Sequence, residues 1–235
     1  MKKLEAIIRP EKNQNLRTIM DSIGQLQYRK PGVIGENKAQ HSAVALPVLY
    51  FNGTPYLLFE LRSQNMRQQP GDVCFPGGKM EASDANTIES AVRELREETG
   101  VSKNNVSYIA PLDRLMTPYG IVIHPHVFMI DKPNFSPNEE VEELFTIPID
   151  NLSQQQPDTF IMELKPDLPN DFPYSKIVRG KHYRFPKGQI PQYFYQYQGR
   201  HIWGMTSRIL HHFLELITEN HAHFHGTTTI PKSLI

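Results

Sequence analysis

The chain has 235 residues, with 25 Lys+Arg balanced by 25 Asp+Glu, 19 prolines and a single cysteine. A zero net charge argues against a protein held to nucleic acid or anionic lipid by bulk charge, and one cysteine excludes an internal disulfide scaffold. The length suits one generous domain, or a core domain with additions, large enough to bury a core without covalent staples.

No apolar stretch approaches the roughly 20 residues that span a bilayer. Arg9, Glu11, Lys12 and Asn13 interrupt the apolar run after the basic start, so it does not read as a signal peptide. The ending Lys232-Ser233-Leu234-Ile235 is one residue off a peroxisomal Ser-Lys-Leu ending and in the wrong order, so it does not read as that address. A soluble cytoplasmic protein is the expectation.

In chain order, residues 13–24 place Leu16, Ile19, Met20 and Ile23 at helical spacing before a stop at Gly24. Residues 25–41 read as a linker. SAVALPVLYF, Asn52-Gly53 and PYLLFELR then predict two strands joined by a tight turn, with Pro47 suggesting an edge or a bulge. Cys74, inside Val73-Cys74-Phe75, reads as a buried structural thiol rather than a nucleophile. Residues 85–100 form the strongest predicted helix, and strand-like runs follow at 106–115 and 121–130. The Pro-, Asn- and Gln-rich segment 131–175 reads mostly as loops with short elements, and Tyr193–Tyr197 as a strand. Residues 203–219 form a closing amphipathic helix anchored by Trp203 in the core, with His211 and His212 at its surface. His221, His223 and His225 read as part of a solvent-facing tail. The irregular alternation of strands and helices favours a mixed sheet with helices on its faces.

The chemistry is concentrated between Gly77 and Val101. On a helix with about 100° per residue, Ile88, Ala91, Val92, Leu95 and Thr99 share one stripe, and Glu94 and Glu98 stack beside it at i, i+4. Like charges at this spacing cost a few tenths of a kcal/mol, and anions near a helix C-terminus oppose its dipole. Such conflicts with local preference concentrate at functional sites. A divalent cation removes the conflict, and hard oxygen ligands with no nearby His or Cys cluster favour Mg²⁺ or Mn²⁺ over zinc. Glu94, Glu97 and Glu98 are the candidate metal ligands, with the Gly78 carbonyl. Arg93 is expected to orient these carboxylates through forked hydrogen bonds.

Arg93-Glu94-Leu95-Arg96-Glu97-Glu98-Thr99-Gly100-Val101 resembles the second half of the Nudix box at every defined position. In the first half the family's glutamate position holds Ala85, and Asp84 is the nearest acid able to pair with Arg93. Upstream, Ser63-x3-Arg67-x3-Gly71-x3-Phe75-Pro76-Gly77-Gly78 is similar to the extra signature of the coenzyme A diphosphatase branch, as is Ile202–Thr206. The resemblance covers residues from about 42 to 215 and implies a Nudix-type α/β/α sandwich with a mixed β-sheet and an N-terminal helical extension. The expected division is 1–41 as extension, 42–220 as catalytic domain and 221–235 as tail.

The resemblance further implies metal-dependent hydrolysis of the diphosphate of coenzyme A or its thioesters. The products would be 4′-phosphopantetheine, or its acyl form, and adenosine 3′,5′-bisphosphate. Another nucleoside diphosphate derivative, such as ADP-ribose or a nucleotide sugar, is the rival substrate, and a non-catalytic ligand-sensing module is the rival class. Arg67, with Arg62 and Lys79 behind it, is the candidate substrate contact. Glu140 or Glu142 is the candidate general base, with Glu97 as the competing route. The implied partner is a small molecule, coenzyme A or a thioester, with no nucleic acid or membrane, and a homodimer is allowed.

Overall fold

The computed structural model describes residues 16–223, with side chains from Ile19 to Thr218. His225 and the rest of the expected tail lie outside the described residues, as do the side chains of His221 and His223. Contacts divide the chain into a unit ending at Ala39 and a unit beginning at Gln40. In the first, helix α1 (Leu16–Gln25) runs one residue past the expected glycine stop. Two single 3-10 turns, Leu26–Tyr28 and Glu36–Lys38, occupy part of the stretch read as linker.

The second unit begins with β1 (Gln40–Phe51) and β2 (Thr54–Arg62). Asn52 and Gly53, both at positive φ (49° and 82°), close the hairpin between them, as their sequence requires. Short strands β3 (Val73–Cys74) and β4 (Gly77–Lys79) precede helix α2 (Thr87–Thr99). Next come β5 (Val106–Pro111), β6 (Leu115–Met116), β7 (Ile121–Ile130), β8 (Val141–Pro148) and a short helix, α3 (Ile149–Ser153). The chain closes with β9 (Asp158–Leu164), β10 (Gly188–Tyr197), β11 (Arg200–Ile202) and α4 (Gly204–His223).

Strands β1 to β8 form one mixed sheet, with the path β3-β2-β1-β7-β5 and β4, β6 and β8 pairing beside it. β1 is central, parallel to β7 on one side and antiparallel to β4 and then β2 on the other. Pro47 therefore lies in a central strand, not at an edge. The Ala45 N–H donates to the Pro76 carbonyl on the β4/β2 side, so strand alternation puts the Pro47 nitrogen in the gap between those two partners. No ladder hydrogen bond is lost there.

Alternation along β1 also separates two cores. Ala43, Ala45, Leu58 and Phe128 face α2 and pack on Ala91 and Leu95. The small side chains of Ala43 and Ala45 make room for the helix. Leu46, Leu57 and Phe59 face the other way, toward Ile209, Leu210 and Phe213 of α4. Burying each large apolar side chain contributes about 1.5–3 kcal/mol, so both helices are held mainly by these faces. The layers are α/β/α, the expected sandwich. A second sheet, in the order β11-β10-β9, adds Tyr195 and Ile202 to the α4-side core.

Two expectations need correction. Segment 131–175 holds two full strands, because the acids of β8 and the exposed pattern of β9 hide their period from a composition reading. Trp203 is 46% exposed rather than a core anchor. It stacks on Phe194 at 6.2 Å and donates its indole N–H to Asp72 at 3.3 Å. Among the described residues, no helix is long and apolar enough to cross a membrane.

Candidate active site

Helix α2 carries its own start and stop signals. The Asn86 side chain accepts from the N–H groups of Ile88 and Glu89, and Gly100, at φ 73°, ends the helix. Between them the chain arranges its acids around one guanidinium. Arg93 forks onto Asp84, with Nε and Nη2 each 3.0 Å from a carboxylate oxygen. Its Nη1 donates to Glu94 at 2.9 Å and to Glu97 at 3.1 Å, and Nη2 also reaches the Lys79 carbonyl at 3.2 Å. Asp84 thus takes the pairing that Ala85 cannot supply.

Glu98 is separate from this cluster. Its residue is 4% exposed, and its Oε2 accepts the Gly77 N–H at 2.8 Å. A side chain at Gly78 would collide with the Glu94 carboxylate, whereas one at Gly77 would press on the Ala43 carbonyl and Val44. Both glycines are therefore required by close approach. Gly78→Ala is expected to displace Glu94 and lower kcat/KM by on the order of 10²-fold. Its melting temperature should barely change, because the displaced group is the far end of a flexible side chain. Kinetics and a thermal melt on one preparation check both halves.

The glycines open onto a cleft of about 520 Å³. One wall comes from the β2–β4 region, with Arg62, Asp72, Cys74, Gly77, Gly78 and Lys79. The other is apolar, from Ile121 and Ile123 of β7, Met162 and Ile190 of the second sheet, and Met205 and Ile209 of α4.

Residues 39–164 match the NUDIX domain family. The chain belongs to the Nudix hydrolases. It is 30% identical over 193 residues to the uncharacterized Nudix hydrolase NudL of Pectobacterium atrosepticum, covering 81% of this chain and 90% of that one. It is 31% identical over 182 residues to the mitochondrial coenzyme A diphosphatase NUDT8 of Homo sapiens, covering 75% and 69%. Among solved structures, a MutT/nudix family protein from Enterococcus faecalis superposes with a TM-score of 0.45 at 14% identity, covering 86% of this chain and 70% of that one.

Within this Nudix hydrolase, Phe75, Gly77 and Gly78 of the upstream signature line the cleft. Gly71 adopts φ 74°, and Phe75 is buried and stacks on Phe59 at 4.7 Å. The Ser63 N–H holds the Glu140 carbonyl at 2.8 Å, which fixes Glu140 at the end of β2. Glu140 and Glu142 are both exposed, and the Glu140 charge is among those felt by Glu60 and Glu94. Arg67 is exposed and does not line the cleft. Arg62 does, but its Nε donates to the Gln68 carbonyl at 3.4 Å and its Nη1 lies 4.0 Å from Glu60. Arg208 of α4 also lines the cleft, a cation that the sequence alone did not single out.

Glu60 was also missed. It sits among apolar strand residues, 1% exposed, and accepts the Cys74 thiol at 3.0 Å. Cys74 is only partly buried, and burial and the Glu60 charge push its thiol far up, which suits a hydrogen-bond donor and not a nucleophile.

The electrostatics follow from this layout. The Arg93 fork, then the Glu81 N–H, hold Asp84 well below the usual carboxylate range. Burial raises Glu94, although Arg93 opposes the shift. Burial and then the Glu60 charge raise Glu98, and burial likewise raises Glu60. Both acids bind protons more readily in the folded chain than in the unfolded one. Stability of the metal-free protein should therefore fall as pH rises above the ordinary carboxylate range and through these raised values. Thermal melts in EDTA should give a midpoint several degrees higher at about pH 5.5 than at about pH 8, a difference reduced in Glu98→Gln.

Among the described residues, no three His, Cys, Asp or Glu side chains are already grouped to hold a metal ion. Arg93 and the Gly77 N–H engage the α2 carboxylates instead. The donor chemistry nevertheless fits a hard divalent cation, because the acids are oxygen ligands and one buried oxygen, Glu60 Oε2, has no hydrogen-bond partner.

Proposed function

We propose that this Nudix hydrolase cleaves the diphosphate of coenzyme A or its thioesters, releasing 4′-phosphopantetheine or its acyl form and adenosine 3′,5′-bisphosphate. The observation that carries the reading is the cleft itself. Its glycine wall, backed by acids, is built by the segment that resembles the coenzyme A diphosphatase signature, and its opposite wall is largely apolar, with Arg208 as its cation. A charged diphosphate joined to a long, weakly polar arm fits such a two-sided site. The similarity to NUDT8, named a coenzyme A diphosphatase, supports the same substrate.

Glu94, Glu97 and Glu98, with the Gly78 carbonyl, would hold Mg²⁺ or Mn²⁺. A bound divalent ion neutralises phosphoryl charge and favours deprotonation of water. The protein's own groups do the rest. Arg93 fixes Glu94 and Glu97 and makes its contacts to acids and the Lys79 carbonyl, so it serves orientation rather than substrate binding. Glu140 accepts the proton of the attacking water, a role for which Glu97 is less suited while Arg93 holds it. Lys79 and Arg208 meet the anionic substrate from opposite walls of the cleft, with Arg62 braced behind them.

A substrate panel tests the assignment. The kcat/KM for coenzyme A or an acyl-coenzyme A should exceed that for ADP-ribose by at least about tenfold. Equal or better turnover of ADP-ribose would overturn it.

A further inference from the structure

Strand β2 supplies a carboxylate that the Nudix box does not include. Side chains two apart share a strand face, so Glu60 follows Leu58 into the side of the sheet covered by α2. The register sets Glu60 directly opposite Cys74 of β3, and the thiol donates to Oε1 at 3.0 Å. The second oxygen, Oε2, is buried with no hydrogen-bond partner. Arg62 offers only a 4.0 Å approach, and to Oε1.

Among its acidic neighbours, Glu98 of α2 feels the charge of Glu60 most and then that of Glu94. A 1% exposed carboxylate with an unmet oxygen, set among further carboxylates, is costly unless something positive joins them. As a purely structural acceptor for the Cys74 thiol, glutamine would serve as well without adding charge to an already acidic pocket.

We propose that Glu60 is a further ligand, contributed by β2, of the divalent cation held by the glutamates of α2. The assignment rests on the metal-dependent reading of the site given above. The Cys74 thiol then serves to hold Oε1 and leave Oε2 for the ion, so the cation is gripped from the sheet as well as from the helix.

Titration of the substrate-free protein with MnCl₂, followed by the electron paramagnetic resonance signal of free Mn²⁺, tests this without reference to turnover. Glu60→Gln should weaken Mn²⁺ binding about 10–100-fold while its melting temperature in EDTA stays equal to the wild type or rises. Glu60→Asp keeps the charge but withdraws the oxygens, and should also bind Mn²⁺ more weakly. It carries the test if the glutamine variant does not fold. Wild-type Mn²⁺ affinity in these variants overturns the proposal, whatever happens to their stability. A wild-type protein that takes up no Mn²⁺ overturns the metal-dependent reading itself, and the two failures are thereby distinguished.

Discussion

Replacing Glu98 by Gln is expected to lower kcat on coenzyme A by on the order of 10²–10³-fold while leaving the fold intact. The glutamine is isosteric, and its carbonyl can keep the 2.8 Å hydrogen bond from the Gly77 N–H. The β4–α2 contact should therefore survive. What is lost is the capacity to carry a negative charge in a 4% exposed position, beside Glu60 and Glu94. Relief of that repulsion should hold or raise the melting temperature in EDTA, the opposite of what a simple structural lesion does. Steady-state kinetics and melts on the same protein separate the outcomes. Activity retained in this variant would mean that the metal assignment is wrong.

Arg93→Lys carries the second large effect. One guanidinium serves Asp84, Glu94, Glu97 and the Lys79 carbonyl at once, and a single ammonium cannot reproduce its planar fork. With Asp84 held by two parallel bonds, losing the fork should also loosen the chain between β4 and α2. The expected result is a fall in kcat of about 10–100-fold and a melting temperature lower by about 4 °C. KM should change little, because Arg93 orients acids and does not reach into the cleft. A large rise in KM with kcat preserved would instead make Arg93 a substrate contact.

The helix of the Nudix box and the grip of Arg93 on its acids were legible because they depend on local spacing. Glu94, Glu97, Glu98 and Arg93 lie within six residues, and helical geometry alone relates them. The Asn52-Gly53 hairpin was legible for the same reason. Features set by strand pairing were not. Glu60 meets Cys74 only through the β2–β3 register, and Pro47 is tolerated only because two partners of β1 meet beside it. A glutamate inside the apolar run PYLLFELR, in phase with Leu58, was the available signal. The cations that line the cleft were not legible either. Arg67 is exposed and outside the cleft lining, whereas Arg208, over 100 residues later, is part of it. The strands of segment 131–175 were hidden by their acids, since Arg200 neutralises Glu143 at 2.7 Å across a contact that no local pattern announces.

The most direct measurement is mass spectrometry of the products formed from coenzyme A in ¹⁸O-labelled water, with Mg²⁺ or Mn²⁺ and with EDTA. The account predicts 4′-phosphopantetheine and adenosine 3′,5′-bisphosphate in equal amounts. One ¹⁸O atom should enter one of the two, only when metal is present, and not in Glu98→Gln. Intact coenzyme A, or loss of its 3′-phosphate alone, would contradict it.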